Sequence, residues 1–237
     1  MGDNLPVVDL GTGRTATAIS AGDEHTCAIL DNASVKCWGD AYLGRLGYGN
    51  SNVQSVNDRG DNSSEMGDNL PVVDLGTGRT ATAISAGTYH TCAILDNASV
   101  KCWGGLLLGA AFGNVDLGTG RTATAIIAGV NHTCAILDDA SVKCWGDNRY
   151  GQLGYGNTDT IGDASDEMGD NLAAVDLGTG RTATAIIAYF LQTCALLDNS
   201  AVKCWGYNSN GQLGKGHTNN LGDDPNEMGD NLTAVDL

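Results

Sequence analysis

The phrase VDLGTGRTATAI begins at Val8, Val73, Val115 and Val175, and each copy runs on into a TCA(I/L)L…VKCWG segment. A chain that repeats itself this closely builds its core by stacking one copy on the next, because a unit of this size cannot bury an apolar face alone. The first cysteines of successive copies, Cys27, Cys92, Cys134 and Cys194, lie 65, 42 and 60 residues apart, so the second-to-third interval is shortened. The approximate repeats are 1–65, 66–110, 111–167 and 168–227, and residues 228–237 begin a further unit.

Within the first copy, four β-type runs at 5–10, 15–20, 25–30 and 34–38 are separated by turn residues at 11–13, 21–23 and 31–33. Four short antiparallel strands per copy make a propeller blade, so the expected fold class is all-β, with about four blades in an open or partial ring. The 34 glycines against 3 prolines agree with many tight turns. With only 2 Phe, the core falls to Ala, Val, Ile, Leu, Cys and the four Trp. The polar, glycine-rich tail of each copy, best seen as DNRYGQLGYGNTDTIGDASDEMGDN from Asp147, reads as the connection to the next blade.

The phrases AGxxHTCAILD, VKCWGDNRYGQLGYGNT and WGYNSNGQLGKGHT resemble the repeat signature of the regulator of chromosome condensation family. That resemblance implies a β-propeller, usually closed as seven blades, and leaves function open, since such propellers serve as exchange factors, ligase accessory domains, light sensors and extracellular modules. Two copies depart from the pattern. The third begins with GGLLLGAAFGNVDL and lacks most of the usual linker, and the fourth reads AYFLQTC where others read AGxxHTC, placing Gln192 at the histidine position. Because MGDNLPVVDL at Met1 returns as MGDNLTAVDL at Met228, Met1 is compatible with an internal position in a longer chain. On the same ground residues 232–237 are expected to lie against a strand of another unit, in an open array or filament.

Eight cysteines fall in four pairs: Cys27 with Cys37, Cys92 with Cys102, Cys134 with Cys144, and Cys194 with Cys204. A hairpin turning on Asp31, Asn32 and Ala33 sets Ile29 against Val35 and Cys27 against Cys37, within disulfide reach. The alternatives are free cysteines acting as small hydrophobes in a reducing compartment and zinc, which favours closer C-x₂₋₄-C pairs. Disulfides point to an extracellular, cell-surface or lumenal location. Five N-x-S/T sequons, at Asn32, Asn62, Asn97, Asn131 and Asn231, accord with it; Asn32 and Asn97, at the hairpin tips, are the glycosylation candidates.

Other motifs read as structural. GTGRT lacks the pattern and following helix of a phosphate loop. His25, His90 and His132 share one repeat position with no nucleophile or orienting acid beside them, and the four Trp recur once per blade, so neither set reads as catalytic. No catalytic residue or organic cofactor is expected. The acidic linkers at 61–68, 163–170 and 223–230 are candidates for Ca²⁺, although they do not fit an EF-hand loop, and for pairing with the arginines of the GRT turns.

A formal charge of −16 disfavours nucleic acid, which needs clustered Lys and Arg. No run approaches the length of a membrane span, and no leader is visible. The expected function is therefore a non-enzymatic extracellular or surface scaffold for protein contact or self-assembly. The alternative is an intracellular guanine-nucleotide exchange factor-like regulator of a small GTPase, which would need reduced cysteines and one blade made unlike the rest. A hydrolase or lectin-like role is the remaining class.

Overall fold

The computed structural model describes residues 6–49, 58–105, 113–164 and 166–236. Its strands are β1 (Ala16–Ala21), β2 (His25–Leu30), β3 (Val35–Gly39), β4 (Ala81–Ala86), β5 (His90–Leu95), β6 (Val100–Gly104), β7 (Gly113–Val115), β8 (Ala123–Ala128), β9 (His132–Leu137), β10 (Val142–Gly146), β11 (Ala183–Tyr189), β12 (Gln192–Leu197) and β13 (Val202–Gly206). They form four antiparallel sheets, β1-β2-β3, β4-β5-β6-β7, β8-β9-β10 and β11-β12-β13. Each sheet is one blade of an unclosed propeller.

The hairpin between the second and third strands follows from its turn residues. Asn32 Oδ1 accepts the Ser34 N–H at 3.2 Å, the local bond that makes Asn a turn former. Leu30 N–H donates to Ser34 O at 2.9 Å, and Ala33 closes the loop at φ 60°. A three-residue loop ending in a left-handed residue fixes the register. It sets Ile29 against Val35 and Cys27 against Cys37, as expected, and the same register recurs in the other three blades.

The fourth strand differs from expectation. The run at 5–10, of which Leu5 lies outside the described residues, does not join the sheet of its own copy; Pro6–Leu10 has no strand character. Its equivalents lie along the outer strand of the preceding blade. Val73 N–H donates to Val35 O at 2.8 Å and Val175 N–H to Val142 O at 2.8 Å, while Val115 pairs with Val100 in β7. The cause is geometric: the third strand's outer edge offers free carbonyls, and the connection returns past it before the next GTG turn. By the same rule Val235 N–H donates to Val202 O at 2.7 Å. The segment 232–236 therefore lies against the fourth blade of this chain, rather than against a strand of a further unit as expected; Leu237 lies outside the described residues.

The core sits between blades. Three apolar clusters each span one junction; in one, Cys92, Ile94, Val100 and Cys102 of the second blade meet Leu117, Ala123, Ile126 and Leu137 of the third. Fully burying one such aliphatic side chain contributes about 1.5–3 kcal/mol, so adjacency of blades is what stabilises each. The two outermost faces stay open. Ile126 and Ile186 are 9% exposed but Ile19, at the same position of the first blade, is 67% exposed; Ile136 is 5% exposed but its counterpart Leu196 is 40%.

Candidate functional site

All eight cysteines are bonded in the four expected pairs, with Cα–Cα distances of 4.0–4.1 Å, and no free cysteine remains. Each bridge ties the second strand to the third within one blade. The tyrosine of the following GYG turn seals the outer side: Tyr48 Oη accepts from Cys37 N–H at 2.9 Å and donates to Cys37 O at 2.7 Å, and Tyr155 bonds Cys144 in the same manner. The hydroxyl satisfies both edge groups of the bridged residue, so that edge is closed to water.

The histidines join blades. His25 Nε2 lies 2.7 Å from Thr91 Oγ1, His90 Nε2 2.7 Å from Thr133 Oγ1, and His132 Nε2 3.0 Å from Thr193 Oγ1, each pair crossing one junction. Burial disfavours the charged imidazolium and pushes His90 down to about 4 and His25 and His132 down to about 3. Neutral imidazoles bonded to hydroxyls are structural pins. The preceding glycine makes room for them: a Cβ on Gly22 would stand 2.1 Å from Gly87 O of the next blade and 2.7 Å from His25 Cε1. The fourth copy, without a following blade in this chain, has Tyr189 at the glycine position and Gln192 at the histidine position.

A second pin runs through the connecting loop. Arg45 O accepts from Thr91 Oγ1 and Trp103 Nε1, both at 3.0 Å, and Gln152 O accepts from Thr193 Oγ1 at 2.8 Å and Trp205 Nε1 at 3.0 Å. The G(R/Q)LGYG loop of one copy thus plugs its backbone into the next blade. The second copy lacks this loop, and buried Trp145 Nε1 of the third blade accordingly has no partner among the described residues. The residues 106–112 of the shortened connector lie outside the described residues. Arg45 is itself buried, paired with Asp40 at 2.8 Å and Glu24 at 3.1 Å and lying over the Tyr42 and Tyr89 rings.

At the periphery the GTGRT motif bonds the connecting linker of the same chain. Thr12 N–H and Oγ1–H donate to the two carboxylate oxygens of Asp68 at 2.9 and 2.6 Å, and Thr119–Asp170 and Thr179–Asp230 repeat the clamp. The threonine hydroxyls hold these three carboxyls below the usual range. Lys36 Nζ donates to Leu10 O and Gly67 O behind the clamp, a role repeated by Lys143 and Lys203.

The expected pairing of GRT arginines with linker acids is not what forms. Arg14, Arg79, Arg121 and Arg181 bond Asp31, Asp96, Asp138 and Asp198 at the hairpin turn of their own blade, which lies nearer than the linkers. Glu65, Glu167 and Glu227 of the acidic linkers accept local backbone N–H groups. Among the described residues no group of three or more His, Cys, Asp or Glu is arranged to hold a metal. Asn32 and Asn97 are exposed at the hairpin tips, where their Oδ1 atoms accept from Ser34 and Ser99.

The first-to-second strand turns of all four blades converge on one concavity of about 610 Å³, lined among others by Asp23, Tyr89, Val130, Tyr189 and Phe190. Tyr207 packs edge-on against both Phe190 and Tyr150 beside it. Sequence periodicity located the histidines and tryptophans, whereas it missed Thr91, Thr133, Thr193 and the Thr–Asp clamp with its lysine. The signal was present, since each recurs in register, but only a neighbouring copy reveals the partner.

The regulator of chromosome condensation (RCC1) repeat matches residues 16–45, 81–105, 124–152 and 193–212. Among solved structures, human WBSCR16 superposes with a TM-score of 0.68 at 16% identity over 94% of this chain and 53% of that one. Prp20p of Saccharomyces cerevisiae gives 0.64 at 17% identity over 93% and 50%. The ectodomain of the Physcomitrella patens receptor kinase CR4 gives 0.51 at 21% identity over 83% and 42%. The chain thus spans about half the length of the structures it matches. Each of its four propeller blades carries a match to the regulator of chromosome condensation repeat.

Proposed function

We propose that the chain is a non-enzymatic scaffold for protein–protein contact in an oxidising compartment, outside the cell or on its surface. The observation that carries this reading is the set of four disulfides, one per blade, with no cysteine left free. Such bonds persist where glutathione and thioredoxin do not reach. The recurring polar residues support the scaffold part: histidine, threonine, tryptophan and lysine are engaged in joining blades, and the variable positions lie on turns and connectors. Among proteins of similar fold, Prp20p is described with its binding to Gsp1p and histones, and CR4 is the ectodomain of a receptor kinase. Glycans at Asn32 and Asn97 fit the same location.

The test is fractionation of the native source with thiol alkylation before lysis. The expected result is a chain in the exported or surface fraction with no alkylated cysteine. A cytosolic chain alkylated at its cysteines overturns the reading and favours the exchange-factor alternative.

A further inference from the structure

The two open faces of the array are not mates. The first blade's free face presents what its counterparts present at the internal junctions: Thr26 where Thr91, Thr133 and Thr193 meet a neighbour, Trp38 where Trp103 and Trp205, though not Trp145, grip a loop carbonyl, and Ile19 where Ile126 and Ile186 are buried. In the first blade Ile19 is 67% exposed and Thr26 partly exposed, whereas Thr91, Thr133 and Thr193 are buried; Trp38 is partly exposed. At each junction that begins on the first or second blade, the opposing face supplies a glycine and, three residues on, a histidine: Gly22 with His25 and Gly87 with His90. Gly129 with His132 repeats the pair at the third junction.

The fourth blade's open face lacks both. Tyr189 replaces the glycine at a place where even a Cβ on Gly22 or Gly87 would stand 2.1–2.2 Å from the next blade's carbonyl oxygen. Gln192 replaces the histidine; Ile187 stands where Ser20 and Ser85 accept Ala86 N–H and Ala128 N–H from the next blade, a position that Ile127 already fills at the third junction. Tyr189, Phe190 and Ile187 are instead largely exposed. The turn is altered too, with Phe190 at φ 51°.

We infer that the first blade's open face is a docking surface for a blade of this repeat type bearing the glycine–histidine pair, and that Tyr189 and Gln192 keep the fourth blade of a second copy off it. This goes beyond the scaffold reading and does not depend on compartment. Non-covalent head-to-tail polymers, open-ended because the contact is heterologous, are therefore blocked in the native chain at one face only, and restoring the pair releases them.

Sedimentation of the full oxidised chain tests this against the double variant Tyr189→Gly/Gln192→His, with circular dichroism and non-reducing electrophoresis to show that both are folded. The native chain is expected to stay at monomer mass as concentration rises, and the double variant to gain weight-average mass about two-fold or more, as a heterologous contact requires. Adding Ile19→Asp, which lies on the exposed first-blade face and leaves the internal junctions intact, should return the double variant to monomer. A native chain that associates through Ile19, a folded double variant that stays monomeric, or association that Ile19→Asp leaves unchanged each overturns the inference.

Discussion

Mild acid should loosen the array through its three buried histidines. Their ordinary value is 6.5, and burial lowers His90 to about 4 and His25 and His132 to about 3. The folded state therefore binds fewer protons than the unfolded chain between these values. Stability is whole above about pH 6.5 and is lost as pH falls toward the folded values. Each histidine costs about 1.4 kcal/mol per pH unit in that window, so at about pH 5.5 the three together remove roughly 4 kcal/mol. Free carboxylates ordinarily titrate near about 4 and lose little in that window. Urea unfolding at about pH 7.5, 6.5 and 5.5 measures it as a falling midpoint at constant slope. The control is His25→Gln/His90→Gln/His132→Gln, which adopts the residue the fourth copy already uses at Gln192; it should be weaker at neutral pH and nearly flat across the window. A native midpoint that does not move between pH 7.5 and 5.5, or a control that falls as steeply, would refute the reasoning.

Replacing Cys92 and Cys102 together by serine should lower stability by about 2.7 kcal/mol, the chain-entropy value for so short a loop, measured by urea unfolding without reductant. Gly87→Ala should cost about 1–3 kcal/mol, because its Cβ would stand 2.2 Å from Gly129 O, and thermal unfolding would show it as a lowered midpoint. Ala98→Gly should raise the free energy of unfolding by up to about 1 kcal/mol, seen in urea unfolding, since Ala98 holds φ 60° at the hairpin turn. No gain would mean that the extra freedom of glycine in the unfolded chain offsets the relief.

The hairpin carrying each disulfide was legible because every determinant is local: the Asn turn former, the loop length and the opposed cysteines lie within about a dozen residues. The assignment of the VDL segment to a blade was not, because its partner carbonyls belong to the preceding copy. In a repeat, a shift of one unit leaves the internal pattern unchanged, so periodicity cannot tell which neighbour a strand joins. The same limit hid the His–Thr contacts, where residues 43 to 66 positions apart meet across a junction. The fourth copy's AYFLQTC read as drift in sequence. Against Gly87 O and Thr91 it reads as the loss of two groups that matter only where another blade follows.

The most direct test is amide hydrogen exchange resolved at the valines of the VDL segments. Blades completed by the following copy predict slow exchange for Val73, Val175 and Val235, which donate to Val35, Val142 and Val202. They predict fast exchange for Val8, which is exposed and has no preceding blade in this chain to pair with. Protection of Val8 together with free exchange of Val235 would contradict the account, for it would put each segment back on its own copy.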